Sequence, residues 1–245
     1  MSEIVFVGTS DAFGAGGRRQ SAVLLRAPGG AALIDCGTTT ATGLNDLGID
    51  RNEIDSIVIS HFHGDHYGGI PILLLAALYE DERKQPLRIA GPPGIERRVR
   101  HLASAMCYGI EDREWSFAIE FHEFRPGHRV EVGPVRLDAF ETLHQPHTCP
   151  HGLVIDTGAD KVAYSGDTGW FDDLPNHVAG SDLFICECTY LHSDFGYHIN
   201  HDELASHKDE LEVGRVILTH MGAEMREKVA QAAFDTADDG LRIDV

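Results

Sequence analysis

Within His61-Phe-His-Gly-Asp-His66, four side chains of metal-binding type, His61, His63, Asp65 and His66, follow directly on the apolar run Ser56-Ile-Val-Ile-Ser60. Histidines two apart cannot share one helical face, whereas a loop leaving a strand end can turn all four side chains into one pocket, with Gly64 relieving the crowding. Three more donors stand just past other β-branched runs: His144 after Val135 to Phe140, Asp167 after Lys161 to Tyr164, and His220 after Arg215 to Thr219. Short runs of this composition read as buried strands, and a donor past each end puts the donors on one rim. A tetrahedral ion takes four protein donors in a structural site and three in a catalytic one, so seven donors predict two divalent ions sharing a carboxylate, with Asp167 as the bridge.

Paired dications deprotonate a shared water near neutral pH and neutralise charge on a phosphoryl oxygen. The expected chemistry is hydrolysis by a metal-bridging hydroxide, with Asp65 orienting the water or acting as its base in addition to ligating metal. Nitrogen and oxygen donors suit zinc, and manganese and iron are compatible. Chance scatter among fifteen histidines would account for His144 or His220 alone but not for the 61–66 cluster. Cys186 and Cys188, two apart on one face of a strand, read as small buried residues, since seven harder donors already suffice. Cys149 lies close to His144 along the chain. His147 and His151 also follow the 135–140 strand, so the third histidine donor is His144 or His147.

Strands are expected at 4–7, 22–26, 31–35, 56–60 and 88–90, then at 117–121, 135–140, 152–156, 161–165, 183–188 and 215–219. Helices are expected at 39–47, 68–80, 93–107, part of 171–175, 201–211 and 223–235. No repeat or low-complexity linker divides the chain, so residues 1–245 read as one domain. The best internal boundary is near 109–130, where Gly109, Pro126 and Gly127 punctuate the sequence. Periodicity supports α/β or α+β.

Along nearly its whole length the chain resembles the metallo-β-lactamase-fold hydrolases, and within them the branch of ribonuclease Z and small phosphodiesterases. The similarity rests on Phe6-Val-Gly-Thr-Ser10, Arg18-Arg19 after Gly16-Gly17, Leu33-Ile-Asp-Cys-Gly37 and the 61–66 box. It continues through Gly68-Gly69-Ile-Pro71, Gly91-Pro-Pro-Gly94, Tyr164-Ser-Gly-Asp167, Cys186-Glu-Cys-Thr189 and Leu218-Thr-His220. The resemblance implies an αββα sandwich of two stacked mixed β-sheets flanked by helices. It also implies one metal held by His61, His63 and His144 and the other by Asp65, His66 and His220, with Asp167 between them. By its separation from His220, His198 resembles the branch's phosphate-side histidine, and Glu187 the glutamate that orients it. Cys186-Glu-Cys-Thr189 stands where the branch usually has His-Glu-Ala-Thr. His201 is the alternative to His198, although Asp202-Glu-Leu after it reads as a helix start with His201 or Asn200 at the cap.

Ribonuclease Z enzymes that grip transfer RNA usually insert a long arm near the third histidine, and the interval from His144 to Asp167 leaves no room for one. Thr219-His-Met-Gly222 also departs from that enzyme's His-Phe-Ser. The leading expectation is therefore a phosphodiesterase acting on a small phosphodiester or RNA end, such as a cyclic or terminal nucleotide. The alternatives are a ribonuclease Z-type transfer-RNA 3′ endonuclease, and a lactonase or thioesterase. Against the latter, relatives carry His-Thr-Pro-Gly-His where this chain has His144-Gln-Pro-His-Thr148. His63 speaks against an iron oxygen reductase, which has glutamate there. A non-catalytic metal-stabilised protein is the remaining reading.

The net charge of −19 opposes ordinary nucleic-acid binding, in which basic side chains displace counterions. Two dications with Arg18 and Arg19 would make a local positive well in an acidic body. Arg97, Arg98 and Arg100 read as a solvated helix face. No apolar stretch reaches a membrane span and no signal peptide is read at Met1-Ser-Glu3. Five cysteines without C-x-x-C argue against a disulfide framework, which points to the cytoplasm. The resemblance implies a homodimer.

Overall fold

The β-branched runs pair into two sheets. In the computed structural model, which describes every residue except Asp194, the first half of the chain runs β1 (Glu3–Gly8), β2 (Ala22–Ala27), β3 (Gly30–Ile34), α1 (Thr40–Asp46), β4 (Ile54–Val58), α2 (Gly64–Tyr67), α3 (Ile70–Tyr79), β5 (Leu87–Gly91), α4 (Ile95–Ala105) and β6 (Ile119–Glu123). The second runs β7 (Val130–Val132), β8 (Val135–Glu141), β9 (His151–Asp156), β10 (Lys161–Tyr164), α5 (Leu174–Val178), β11 (Leu183–Glu187), α6 (His201–Ser206), β12 (Arg215–Thr219), α7 (Ala223–Glu227), β13 (Asp235–Thr236) and β14 (Arg242–Asp244). One sheet has the order β14-β1-β2-β3-β4-β5-β6 and the other β13-β12-β11-β10-β9-β8-β7. In each, an antiparallel meander leads into parallel strands: from β3 to β6 in the first, and from β10 to β13 in the second.

Alternation along β1 shows how the layers form. Ile4 and Phe6 enter the core between the sheets with Leu137, Leu153 and Ile155, while Val5 and Val7 face the other way, into a core with Leu44 of α1, Leu74 of α3 and Val99 of α4. A third core seats Leu174 and Val178 of α5, Leu204 of α6 and Met225 of α7 on the outer face of the second sheet. Successive strand residues point to opposite faces, so strands buried on both faces read as continuous apolar runs. The expected αββα arrangement of two mixed sheets with flanking helices is the one observed. The change of sheet falls between β6 and β7, inside the 109–130 stretch singled out from the sequence.

Several element expectations need correction. The strand expected at 117–121 lies at Ile119–Glu123. The helix expected over 201–211 stops at Ser206, followed by a 3₁₀ turn at Lys208–Glu210. That expected over 223–235 is only Ala223–Glu227, because Asp235 and Thr236 pair as a strand beside β12. Strands β7, β13 and β14 are additional. Among the described residues no helix is long and apolar enough to cross a membrane.

Candidate metal centre

The donors gather at strand ends contributed by both sheets. His61 and His63 leave β4, and Asp65 and His66 sit on the short helix α2 that follows. His144 lies beyond β8, Asp167 beyond β10, and His220 directly after β12. Ligand sites in open sheets form outside the carboxyl ends of parallel strands, and this site has that position. Gly166 turns the chain into Asp167 with φ of 57°; a Cβ there would sit 2.5 Å from the carbonyl oxygen of His151, so both the angle and the space call for glycine. His220 takes φ of 54° without being glycine, a strained backbone held by its surroundings.

Two groups of donor atoms result, each within 4.8 Å across: His61, His63, His144 and Asp167 in one, and Asp65, His66, Asp167 and His220 in the other. In the first, His63 Nδ1 is 3.1 Å from His61 Nε2 and 3.2 Å from His144 Nε2, and Asp167 Oδ2 is 3.6 Å from His61 Nε2. In the second, His66 Nε2 is 3.3 Å from Asp65 Oδ2 and 3.3 Å from Asp167 Oδ1, while His220 Nε2 is 3.4 Å and 3.5 Å from the same two oxygens. Donors about 2.0–2.1 Å from one tetrahedral ion stand roughly 3.3 Å apart, so both groups have the spacing of a coordination shell. Asp167 gives one oxygen to each.

A second observation agrees with this fit. His66 Nε2 and Asp167 Oδ1 are buried and make no hydrogen bond among the described residues, although each points at the centre of its group. Leaving such atoms unpartnered is costly, and a cation at that point removes the cost. Burial depresses the basicity of His61, with the neighbouring His66 acting the same way, and burial also depresses His63 and His144, so these rings are neutral. Burial opposes charge on Asp167 and Asp65, but the surrounding imidazoles, His220 first for Asp167 and His66 for Asp65, hold both carboxyls well below the ordinary carboxylate range. His66 and His220 are pushed up, against burial, chiefly by Asp167, so metal binding at these two rings displaces their protons. Neutral imidazoles and ionised carboxylates are the forms that bind metal.

The other ring nitrogens are fixed from behind. His66 Nδ1–H donates to Asp35 Oδ2 at 2.7 Å, and His144 Nδ1–H donates to the Tyr197 carbonyl at 2.8 Å. Ser60 Oγ lies 3.0 Å from His61 Nδ1 and donates to Asp35 Oδ2 at 2.8 Å. Thr189 Oγ lies 2.9 Å from His220 Nδ1 and donates to Glu187 Oε2 at 2.8 Å. Such partners set tautomer and ring direction. Asp35, Ser60, Tyr164, whose hydroxyl also donates to Asp35 at 2.8 Å, and Thr189 have no role in the sequence reading. Their only sequence signals are membership of Leu33-Ile-Asp-Cys-Gly37, Ser56-Ile-Val-Ile-Ser60, Tyr164-Ser-Gly-Asp167 and Cys186-Glu-Cys-Thr189.

The structure places the alternative residues differently. His147 is exposed, its ring 6.5 Å from that of His63, whereas His144 points Nε2 into the donor group. His201 opens α6 and accepts from the Ala233 N–H at 2.8 Å, with Asn200 as the cap. His198 Nδ1–H donates to Glu187 Oε1 at 2.7 Å, and Glu187 also accepts the N–H of Thr168 at 2.9 Å. Burial disfavours charge on His198, but the Glu187 carboxylate outweighs it and raises the ring to about 9. Cys186 and Cys188 are buried, and burial first, then each other's or Glu187's charge, holds both as thiols. Arg18 and Arg19 form no positive well at the site: Arg18 pairs with Asp238 at 2.9 Å and Arg19 with Asp46 at 3.2 Å, and neither lines the cavity. Arg100 pairs with Glu96, and Arg98 lies over Phe62. A cavity of about 550 Å³ opens over the donors and is walled also by His198, Tyr190 and Phe195.

A protein-family profile described as anti-Pycsar protein Apyc1 matches residues 2–237. Anti-Pycsar protein Apyc1 of Bacillus phage 010DV004 is 30% identical over 259 aligned residues, covering 95% of this chain and 93% of the phage protein. Ribonuclease Z of Methanothermobacter thermautotrophicus is 27% identical, covering 100% and 97%. Among solved structures, the metallo-β-lactamase fold protein YhfI of Bacillus subtilis superposes with a TM-score of 0.79 at 22% identity, covering 100% of both chains, which establishes the fold. With both sheets, the paired donor groups and these matches in hand, the chain belongs to the family described as anti-Pycsar protein Apyc1 and is a metal-dependent hydrolase of the metallo-β-lactamase fold.

Proposed function

We propose that this hydrolase cleaves a small phosphodiester, a cyclic or terminal nucleotide, at two divalent ions. His61, His63 and His144 would hold one ion and Asp65, His66 and His220 the other, with Asp167 common to both donor groups. Two such ions supply charge neutralisation at a phosphoryl oxygen and a lowered pKa for water between them. Asp65, with Oδ2 in the donor group, has a second oxygen with which to accept a hydrogen bond from the attacking water and orient it. His198 has committed Nδ1–H to Glu187, so Nε2–H is its free donor. It stabilises the phosphate and protonates the departing alkoxide.

The observation that carries this reading is the Glu187–His198 pair on the wall of the cavity that contains the donors. An N–H donor held in place by a carboxylate beside the donor groups suits a substrate that is anionic throughout the reaction, which a lactone or thioester is not. Cleavage of transfer-RNA 3′ trailers is the second reading, supported by the full-length similarity to ribonuclease Z. Against it, β8 and β10 are joined only by a short turn and β9, with no inserted arm among the described residues. Zinc suits the donor set, a homodimer is the expected assembly, and the five free cysteines fit the cytoplasm.

Metal-loaded protein is tested on bis(p-nitrophenyl) phosphate, a panel of cyclic nucleotides, a transfer-RNA precursor and an acyl lactone, with His63→Ala as control. Turnover of the first two, lost in the variant, is expected. No phosphodiester turnover, or the same turnover in the variant, removes the proposal.

A further inference from the structure

His63 differs from the other histidine donors in what stands behind it. The second ring nitrogens of His61, His66, His144 and His220 each face a partner described above. His63 points Nδ1 at His61 Nε2 and His144 Nε2, and its Nε2 makes no hydrogen bond among the described residues. With no partner to set the ring from behind, its direction depends on the backbone that carries it. That backbone includes Phe62, which is buried beside it.

Arg98 ties this stretch to the other half of the site. Ile95, Val99 and Ala103 bury one face of α4 in the outer core of the first sheet, which fixes where Arg98 leaves the helix. Its guanidinium lies over the Phe62 ring, 4.9 Å from the centroid, and Nη2–H donates to the His147 carbonyl at 3.1 Å. The Tyr67 ring meets Phe62 edge-on at 5.6 Å, so Phe62 is held by both. A backbone bond runs in parallel: Phe62 N–H donates to the Thr148 carbonyl at 2.9 Å. These contacts join the His61–His63 segment, which follows β4 of the first sheet, to the Pro146–Thr148 turn, which follows His144 and lies between strands of the second. A guanidinium suits this double task, since it stacks on an aromatic face and donates hydrogen bonds in its own plane. The solvated-face reading therefore holds for the exposed Arg97 and not for Arg98.

We propose that Arg98 is a positioning residue for the first donor group, clamping Phe62 to the Pro146–Thr148 turn so that His63 and His144 face one point. The inference rests on the two-ion reading above and adds to it a residue outside both donor groups. His66 and His220 are oriented instead by Asp35 and Thr189, so the effect of Arg98 falls on the first group.

Titration of metal-free protein with zinc against a chromophoric chelator tests it in the wild type, Arg98→Ala, Arg98→Lys and Arg97→Ala, with circular dichroism of each. Arg98→Ala is expected to weaken one zinc equivalent about tenfold and to leave the other unchanged. Arg98→Lys, which keeps a cation over the ring and a donor for the carbonyl, restores most of the loss, and Arg97→Ala changes nothing. In a His144→Ala background, where the second group alone remains complete, Arg98→Ala has no further effect. Should Arg98→Ala not fold, Arg98→Gln is judged by the same result. Unaltered affinity in Arg98→Ala, equal weakening of both equivalents, an equal loss in Arg97→Ala, or further weakening in the His144→Ala background overturns the proposal. A wild type with no affinity for zinc refutes the coordination scheme as a whole, whereas two equivalents indifferent to Arg98 refute the clamp alone. The expected Arg98 effect in a protein that cleaves no phosphodiester supports the clamp and refutes the reaction proposed above.

Discussion

Asp35 Oδ2 lies 2.7 Å from His66 Nδ1, and the same oxygen accepts the Ser60 hydroxyl that stands behind His61. One fully buried carboxylate thus orients a donor of each group. Asp35 itself takes φ of 57°, a conformation uncommon outside glycine, which is compatible with a backbone set by this network.

Replacing Asp35 by Ala therefore weakens metal binding at a distance from the metal. Outer partners of metal-bound histidines are worth about 10–100-fold in affinity. Competition against a chelator should show a loss of that order, while Asp46→Ala, at an exposed ion pair, leaves affinity unchanged.

Removing the ions should also destabilise the fold. A ligand present at about 100 times its Kd adds about 2.7 kcal/mol, which for a chain of this size is about 5–10 °C in melting temperature. Scanning calorimetry with and without EDTA, followed by zinc add-back, measures the shift; an unchanged melting point would sink the coordination scheme.

His144→Ala should lower bound metal by about one ion per chain, since it removes a buried donor, and His147→Ala should leave both metal content and activity unaltered because that ring is exposed. Elemental analysis of the two variants separates them, and equal metal loss would reverse the assignment.

The Glu187–His198 pair predicts a pH dependence. His198 is raised to about 9, so its charge is present below that pH and is lost as pH rises through it. The alkaline limb of kcat/KM should fall near 9 in the wild type. In Glu187→Gln burial is opposed mainly by Asp167 alone, and the limb should move down toward the ordinary imidazole value of about 6.5. Linkage has the same sign: the stabilisation from this pair is complete below about 6.5 and disappears between there and about 9. A limb that stays in place in the variant assigns it to another group.

The site was more legible in the sequence than the scaffold that orients it. The 61–66 box is contiguous, so its chemistry shows in a single window, and His144, Asp167 and His220 each come within three residues of the end of a strand. Asp35 and Ser60 meet His66 and His61 only after β3 and β4 pair, and Thr189 meets His220 only after β11 and β12 do; hydroxyls and a lone carboxylate carry no mark of that in one dimension. The helix expected over 223–235 failed for a related reason. Ala, Glu and Lys there favour a helix, but pairing of Ile217 and Leu218 with Asp235 and Thr236 overrode local propensity. His144 could not be distinguished from His147 until the Pro146–Thr148 turn pointed one inward and the other out.

Because β4 belongs to one sheet and β8, β10 and β12 to the other, neither donor group exists in half a molecule. A fragment lacking β12 and the residue after it has no His220 and so no complete second donor group. Assembly of either donor group therefore requires the two layers to have closed on each other, and parting the sheets would take both groups apart together.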